Sequence, residues 1–190
     1  FAVLLARLSN ERDLLVGTAV ANRELPEVGS LIGYFVNTLV LRSDLAGSPS
    51  FAELVERHRA LMLAAFENQG APYEQVVERL NPARSLSHNP VFQVMFGLNN
   101  AENTEVVLPG LACELLPRHS PLSQYDLSLD VTERQGSLEC VWEYNTDIFS
   151  KETIEDFART FHHLVKGLMD EPGRCRSEEY TSELQSRLHL

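Results

Sequence analysis

Residues 14–21 read LLVGTAVA, an almost continuous apolar run of strand length. Such a run is typical of a strand covered on both faces, because a half-exposed strand alternates polar and apolar residues. Residues 31–42, LIGYFVNTLVLR, are apolar at both alternate sets of positions and predict a second, central strand. Residues 90–98, PVFQVMFGL, predict a third buried strand. A chain with these strands is expected to fold around a sheet that other layers cover.

Four segments between and around these strands have helical periodicity. Residues 1–8 carry apolar side chains at positions 1, 4, 5 and 8, which is the stripe of an amphipathic helix. Ser50 with Glu53 three residues later forms the signature of a capping box and predicts a helix that starts at Ser50 and is ended by Gly70. Pro72 suits the first position of a short helix through residue 80. Ser150 is expected to cap a last helix that runs to residue 168.

Residues 125–132 alternate strictly between apolar and polar side chains and predict a half-buried antiparallel strand. A turn at Gly136 leads to a partner strand over 138–144, so the two form a hairpin. The fold class predicted from these elements is α/β, in an α+β layered arrangement with a mixed sheet covered by helices.

Charge and composition exclude several function classes. The chain has 190 residues with a formal net charge of −11, and residues 100–156 hold 12 acidic side chains against 3 basic ones. An acidic chain gains nothing from releasing phosphate counterions, so neither nucleic acid nor an anionic membrane is an expected partner. The longest apolar run, residues 1–6, is far shorter than a membrane span. The three cysteines lack ligand spacing, which predicts no metal site and a reducing, cytoplasmic location.

The familiar catalytic motifs are absent from the sequence: there is no GxSxG, phosphate-binding loop, GxGxxG after a strand, or HExxH. His162 and His163 are adjacent and could supply a general base. Both flank the apolar stripe of the last helix, which favours ordinary surface histidines. Cys113 and Cys140 are interpreted as small apolar residues in strands and not as nucleophiles.

Asn37 is the most informative polar residue, because an amide inside a predicted buried strand must find hydrogen bonds. It either pairs with the backbone or orients a substrate beside a reacting carbonyl. Asn22 and Arg23 leave the strand 14–21 at its carboxyl end, where ligand-binding groups collect, although an arginine there can equally anchor a loop.

A second polar loop is formed by residues 83–90, ARSLSHNP, which bring together Arg84, Ser85, Ser87, His88 and Asn89. Ordinary loop polarity and a functional cluster are equally good interpretations of this composition.

Taken together, these stretches resemble the condensation domains of nonribosomal peptide synthetases. The segments that carry the resemblance stand in the order and spacing of that family. The first are GTAVANR (17–23) and LIGYFVNTLVLR (31–42). NQGAPYEQVVERL (68–80) is similar to an HQDYPFE-type motif but differs at Gly70 and Ala71, and ARSLSHNPVFQVMF (83–96) is similar to RDxSRNPLFQV.

The resemblance implies a fold made of two chloramphenicol-acetyltransferase-like halves, a pseudodimer with a tunnel between them. Two carrier proteins insert their 4'-phosphopantetheine arms from opposite sides, and the amine of the acceptor attacks the donor thioester. The family signature HHxxxDG, whose second histidine is the base or positioning group, lies in the first half. This chain resembles only the second half, and His162-His163 does not replace the signature because Gly167 stands where the aspartate belongs. No catalytic residue is therefore expected in this chain.

The same resemblance implies where several side chains act. Asn37, Phe35 and Gly33 are expected to line the substrate tunnel. The hairpin between residues 125 and 144 is expected in the region that bridges the two halves. No cofactor is expected to bind directly, and the implied partners are the N-terminal half of the domain, peptidyl carrier proteins and the adjacent adenylation domain. The loop residues expected toward the tunnel or a domain interface are Asn22, Arg23, Arg84, Ser87, His88 and Asn89.

Two boundaries complete the expectation. Residues 1–173 are interpreted as the C-terminal subdomain of a longer condensation domain. Residues 174–190 follow a stop at Pro172-Gly173 and share none of the preceding periodicity, so they are interpreted as a non-native tail or an interdomain linker.

The alternatives to amide bond formation are an epimerising, cyclising or ester-forming relative, and a non-catalytic half-domain that only binds a carrier or adenylation domain.

Overall fold

The computed structural model describes residues 1–23, 25–47, 49–83, 88–99, 110–111, 122–134 and 136–170. In chain order the elements are α1 (Ala2–Ser9), β1 (Asp13–Val20), α2 (Pro26–Gly29), β2 (Asn37–Asp44), α3 (Phe51–Glu67), α4 (Tyr73–Leu80), β3 (Val94–Asn99), β4 (Leu127–Arg134), β5 (Ser137–Tyr144) and α5 (Lys151–Asp170).

The described strands form one mixed sheet in the order β2-β1-β3-β4-β5. β1 runs antiparallel to β2, with Val20 opposite Asn37, and β4 runs antiparallel to β5. β1 with β3 and β3 with β4 are parallel pairs, which require longer connections. The predicted fold class, a mixed sheet with covering helices, is confirmed.

Helix α1 lies at the centre of the apolar core. Its Leu4 is completely buried and packs with Leu54 of α3 and Leu164 of α5. A second cluster joins Leu5 of the same helix to side chains of β1, β4 and α5. Because one short helix contacts both flanking helices and the sheet, it holds the two layers together.

The predicted central strand over residues 31–42 is wrong in two respects. The strand begins only at Asn37, and it is an edge strand of the described sheet. The residues before it form a loop in which Ile32 and Tyr34 are almost fully exposed. Leu15 of β1 is also 40% exposed, so that strand is not covered completely on both faces. The apolar composition of 31–36 thus reflects an exposed apolar loop.

Most other predicted elements are confirmed within a few residues. Ser50 caps α3 through the full capping box, in which its backbone N–H donates to Glu53 and its hydroxyl accepts from the Glu53 N–H. Pro72 is the N-cap of α4, so the helix begins at Tyr73, one residue later than expected. β3 begins at Val94, four residues after the predicted start. The hairpin turns at Gly136, whose φ of 77° favours glycine.

Some expectations lie outside the described residues. The interpretation of residues 174–190 as a tail, and that of Cys113 as an apolar residue in a strand, both concern segments that the structure does not describe.

Gly17 of β1 is expected to tolerate no side chain. A Cβ there would overlap the ring of Phe92, which is 1% exposed and has little room to move. We expect Gly17→Ala to lower the free energy of unfolding by about 1–3 kcal/mol, as overpacked cores do. Gly29→Ala is the matched control, since a Cβ at position 29 meets nothing within 4 Å. Urea unfolding of both variants measures the difference, and equal stabilities would contradict the close contact with Phe92.

Candidate functional site

Asn37, at the first position of β2, uses all the hydrogen-bonding capacity of its side chain. Its Nδ2 donates to the carbonyls of Gln69 (2.7 Å) and Ala71 (2.8 Å). Its Oδ1 accepts from the backbone N–H groups of Thr38 (2.9 Å) and Tyr73 (3.1 Å). An asparagine amide offers two donor hydrogens and an oxygen with two lone pairs, so nothing remains unpaired. Asn37 therefore joins the edge of the sheet to the loop between α3 and α4.

A pocket of about 240 Å³ lies beside this junction. Its wall combines side chains from the end of β1, the loop before β2 and the start of α4. Among the described residues of this wall Glu74 is the one charged side chain, so they bring no positive charge to the pocket. The lining residues are Asn22, Tyr34, Val36, Asn37, Thr38, Gly70, Pro72, Tyr73 and Glu74.

Arg23 organises the loop that forms one side of the pocket. Its Nη1 donates to the carbonyls of Val28 (2.5 Å) and Leu31 (2.9 Å), and its Nη2 donates to that of Gly33 (3.3 Å). The guanidinium also lies 4.3 Å from the ring centre of Phe35, a cation–π distance. Three backbone carbonyls of the loop are thus held by one side chain. Gly33 and Phe35 contact Arg23 and are not part of the pocket wall.

Asn22 turns the chain away from the sheet immediately after β1. Its φ is 51°, in the left-handed region that asparagine tolerates better than most residues. This turn brings the Asn22 side chain to the pocket, which it lines together with Tyr34 and Asn37. Asn22 therefore lies at the carboxyl end of β1, the end of a strand at which ligand-binding groups collect in open sheets.

Tyr73 contributes a half-buried ring to the pocket wall. Its ring packs edge-on against Phe92 (5.6 Å between centroids), and Phe92 stacks on Tyr125 (5.4 Å). The Tyr73 hydroxyl is shielded from solvent and finds no hydrogen-bond partner among the described residues. Burial, with a smaller contribution from Tyr125, raises the pKa of Tyr73, and burial also raises the pKa of Tyr125. Both phenols therefore keep their protons at neutral pH.

The second predicted loop lies elsewhere on the sheet. Asn89 donates from Nδ2 to the carbonyl of Gln124 (3.4 Å) and accepts at its own carbonyl from the side chain of Gln93 (3.0 Å). His88 approaches the same carbonyl with Nδ1 (3.0 Å). These contacts tie the start of the β3 segment to the chain before β4. The other predicted polar residues of this loop, Arg84, Ser85 and Ser87, lie outside the described residues.

His162 and His163 lie exposed on α5, and His163 Nδ1 approaches the Arg159 carbonyl at 2.7 Å. Cys140 is also exposed, and partial desolvation raises the pKa of its thiol. Among the described residues, no group of three or more His, Cys, Asp or Glu side chains could hold a metal ion. No helix in that part of the chain is long and apolar enough to cross a membrane.

Ser43 and His58 form a partly buried pair that the sequence did not reveal. Ser43 Oγ lies 2.9 Å from His58 Nε2, and His58 Nδ1 lies 2.9 Å from the carbonyl of Leu54. Because that carbonyl can only accept, a neutral ring carries its proton on Nδ1 and accepts the serine hydroxyl at Nε2. The pair joins β2 to α3 within an apolar groove of about 390 Å³. The structure places Ser43 in β2 on the side that packs against α3, and this contact could not be seen in the sequence.

Comparison with known proteins places these features in a family. A family model described as "Condensation domain" matches residues 1–188. Malpinin synthetase of Mortierella alpina is 41% identical over 165 residues, covering 87% of this chain and 2% of that protein. The dimodular nonribosomal peptide synthase of Bacillus subtilis (strain 168) is 38% identical over 177 residues, covering 90% of this chain and 7% of that protein. The chain thus spans a small part of these curated relatives.

Solved structures agree with the sequence matches. A four-domain nonribosomal peptide synthetase bound to AMP and glycine superposes with a TM-score of 0.83 and 26% identity, covering 91% of this chain and 14% of that one. The X-domain from teicoplanin biosynthesis superposes with a TM-score of 0.81 and 29% identity, covering 92% of this chain and 40% of that one.

Replacing Asn37 tests the junction directly. Asn37→Ala removes the side-chain partner of two carbonyls and of the Thr38 and Tyr73 N–H groups, so we expect a loss of about 1–3 kcal/mol in the free energy of unfolding. Asn68→Ala is the matched control, because the Asn68 amide donates an exposed hydrogen bond to the Ala64 carbonyl. We expect that control to stay within about 0.5 kcal/mol of the wild type. Urea unfolding measures both, and an unchanged Asn37→Ala would show that the junction does not stabilise the fold.

Proposed function

Because the chain belongs to the condensation domain family, we propose that it forms the C-terminal subdomain of such a domain in a nonribosomal peptide synthetase. The observation that carries the condensation-domain part of this proposal is the family match over residues 1–188. The X-domain structure supports it, since a fold that covers 92% of this chain accounts for only 40% of that chain. The motif order over residues 17–96 favours the second half of the domain.

The reaction proposed for the complete domain is amide bond formation between two carrier-bound thioesters. The amine nitrogen of the acceptor attacks the thioester carbonyl of the donor, a C–N bond forms and the C–S bond breaks. The proton lost by the amine ends on the released thiol of the donor carrier's 4'-phosphopantetheine arm. This chain binds no cofactor of its own in the proposal. It works with the N-terminal half of the domain, peptidyl carrier proteins and an adenylation domain.

The contribution of this chain is to shape and line the path of the substrate. The pocket beside Asn37 provides neutral polar groups and a single carboxylate from its described wall, which suits amide and amine groups better than phosphate. The base that receives or positions the amine proton is proposed to lie in the other half. His162 and His163 are poor substitutes, since they are exposed on α5 and do not line the pocket.

A second candidate function is protein docking without catalysis. The teicoplanin X-domain has been solved in complex with OxyB, and it is 29% identical to this chain with a TM-score of 0.82. The same fold can therefore serve as a surface for a partner protein. In this alternative the complete domain binds its partner and forms no amide bond.

A reconstitution experiment separates these functions. We expect the complete domain to join two loaded carrier proteins, and the 190-residue chain alone to form no detectable product, because it lacks the proposed base. Mass spectrometry of the carrier-bound product measures both. Peptide formation by the chain alone would overturn the division of roles, and a complete domain that binds carriers without forming product would support docking.

The histidine pair supplies the matched control for this experiment. We expect the complete domain with both His162→Ala and His163→Ala to keep turnover within about twofold of the wild type, because surface substitutions away from the site have small effects. A large loss of turnover with an unchanged unfolding curve would place one of these histidines in the reaction.

A further inference from the structure

The saturation of Asn37 means that other groups must hold the substrate in this pocket. Both donor hydrogens of its amide and both lone pairs of its oxygen are already used by the backbone. A substrate could bond to Asn37 only by breaking one of these contacts. The substrate must therefore form its hydrogen bonds with pocket side chains whose donors and acceptors are not already paired.

Asn22 and Tyr34 meet this condition. Both line the pocket, and in the part of the chain that the structure describes neither side chain makes a hydrogen bond. Tyr34 is 90% exposed, so its hydroxyl is accessible, whereas the Tyr73 hydroxyl is shielded. Asn22 is partly exposed beside it.

The chemistry of these two groups defines the ligand. An asparagine amide pairs naturally with a secondary amide, because its N–H groups can donate to the carbonyl of that amide while its oxygen accepts from the N–H, and a phenol donates to a carbonyl. The described wall of the pocket has no lysine or arginine and contains Glu74, which disfavours a phosphate. We propose that Asn22 and Tyr34, and not Asn37, hydrogen-bond the amide groups of the carrier-tethered substrate. This inference rests on the function proposed above.

Arg23 is the positioning residue for Tyr34. The two neighbours of Tyr34 in the chain are both held by that arginine: the Gly33 carbonyl accepts from its Nη2, and the Phe35 ring lies 4.3 Å from the guanidinium carbon. A residue fixed on both sides loses little conformational freedom when it binds a ligand. Lysine cannot replace these contacts, because it lacks the planar fork that donates in several directions at once.

The first experiment uses Tyr34→Phe and Asn22→Gly in the complete domain. Glycine keeps the positive φ at position 22 while it removes the amide. Each variant loses one or two neutral hydrogen bonds, so we expect the KM for the loaded carrier to rise about threefold to tenfold with kcat little changed. Tyr144→Phe, on β5, is the matched hydroxyl deletion and should leave KM unchanged.

A second readout does not depend on turnover. Pantetheine, which carries two amides and no phosphate, is titrated calorimetrically into the same proteins, and we expect both variants to bind it about threefold to tenfold more weakly than the wild type. Arg23→Lys should weaken pantetheine binding and speed amide hydrogen exchange over residues 25–36. Arg59→Lys is its control, since the Arg59 side chain forms an exposed ion pair with Glu56.

The outcomes separate this inference from the proposed function. Pantetheine binding and KM that are the same in the wild type, Tyr34→Phe and Asn22→Gly would overturn the inference even if the domain forms peptide. If the domain forms no peptide but binds pantetheine more weakly in both variants than in the wild type, the inference about the pocket stands and the proposed reaction is overturned. Faster exchange in Arg23→Lys with unchanged pantetheine binding would remove Arg23 from the positioning role.

Discussion

The candidate site depends on one side-chain amide that the backbone uses completely. Asn37 begins the edge strand β2, and its side chain makes four hydrogen bonds. Two go to carbonyls of the loop between α3 and α4, one comes from the first N–H of α4, and one comes from the next residue of β2. An edge strand has unpaired backbone groups on its outer side and little to fix where it begins. Asn37 fixes the start of β2, because its side chain hydrogen-bonds the neighbouring segment of residues 69–73. The position of the pocket wall follows from it.

Arg23 plays the corresponding part for the loop on the other side of the pocket. The loop over residues 25–36 has few partners in the described sheet, and its apolar side chains, such as Ile32, face outward. Three of its carbonyls are nevertheless satisfied by a single guanidinium, which also stacks on Phe35. Asn37 and Arg23, which the sequence singles out as candidate site residues, thus hold loops through backbone hydrogen bonds. The side chains inferred to bind the substrate, Asn22 and Tyr34, lie beside them in the pocket wall.

The fold was predictable wherever one local signal was strong. The capping box at Ser50, the alternation over residues 125–132 and the turn at Gly136 each depend on a few neighbouring residues, and each was found within two residues of its expected position. The prediction failed for residues 31–36, since an apolar composition suits a buried strand and an exposed interaction loop equally well. The Ser43–His58 pair was not predictable either, because its partners are brought together only by the packing of α3 on β2.

The sequence by itself determined the family, the mixed layered fold and the candidate site residues, because spacing, periodicity and motif order are local properties of the chain. Only the tertiary structure decided which of those residues have hydrogen-bonding capacity to spare. Asn37 and Asn22 are the same residue type in similar settings, yet three of the four hydrogen bonds that saturate the first involve residues more than thirty positions away. The second lines the pocket without a hydrogen-bond partner among the described residues. Saturation is a property of three-dimensional neighbours, and a linear pattern does not contain it.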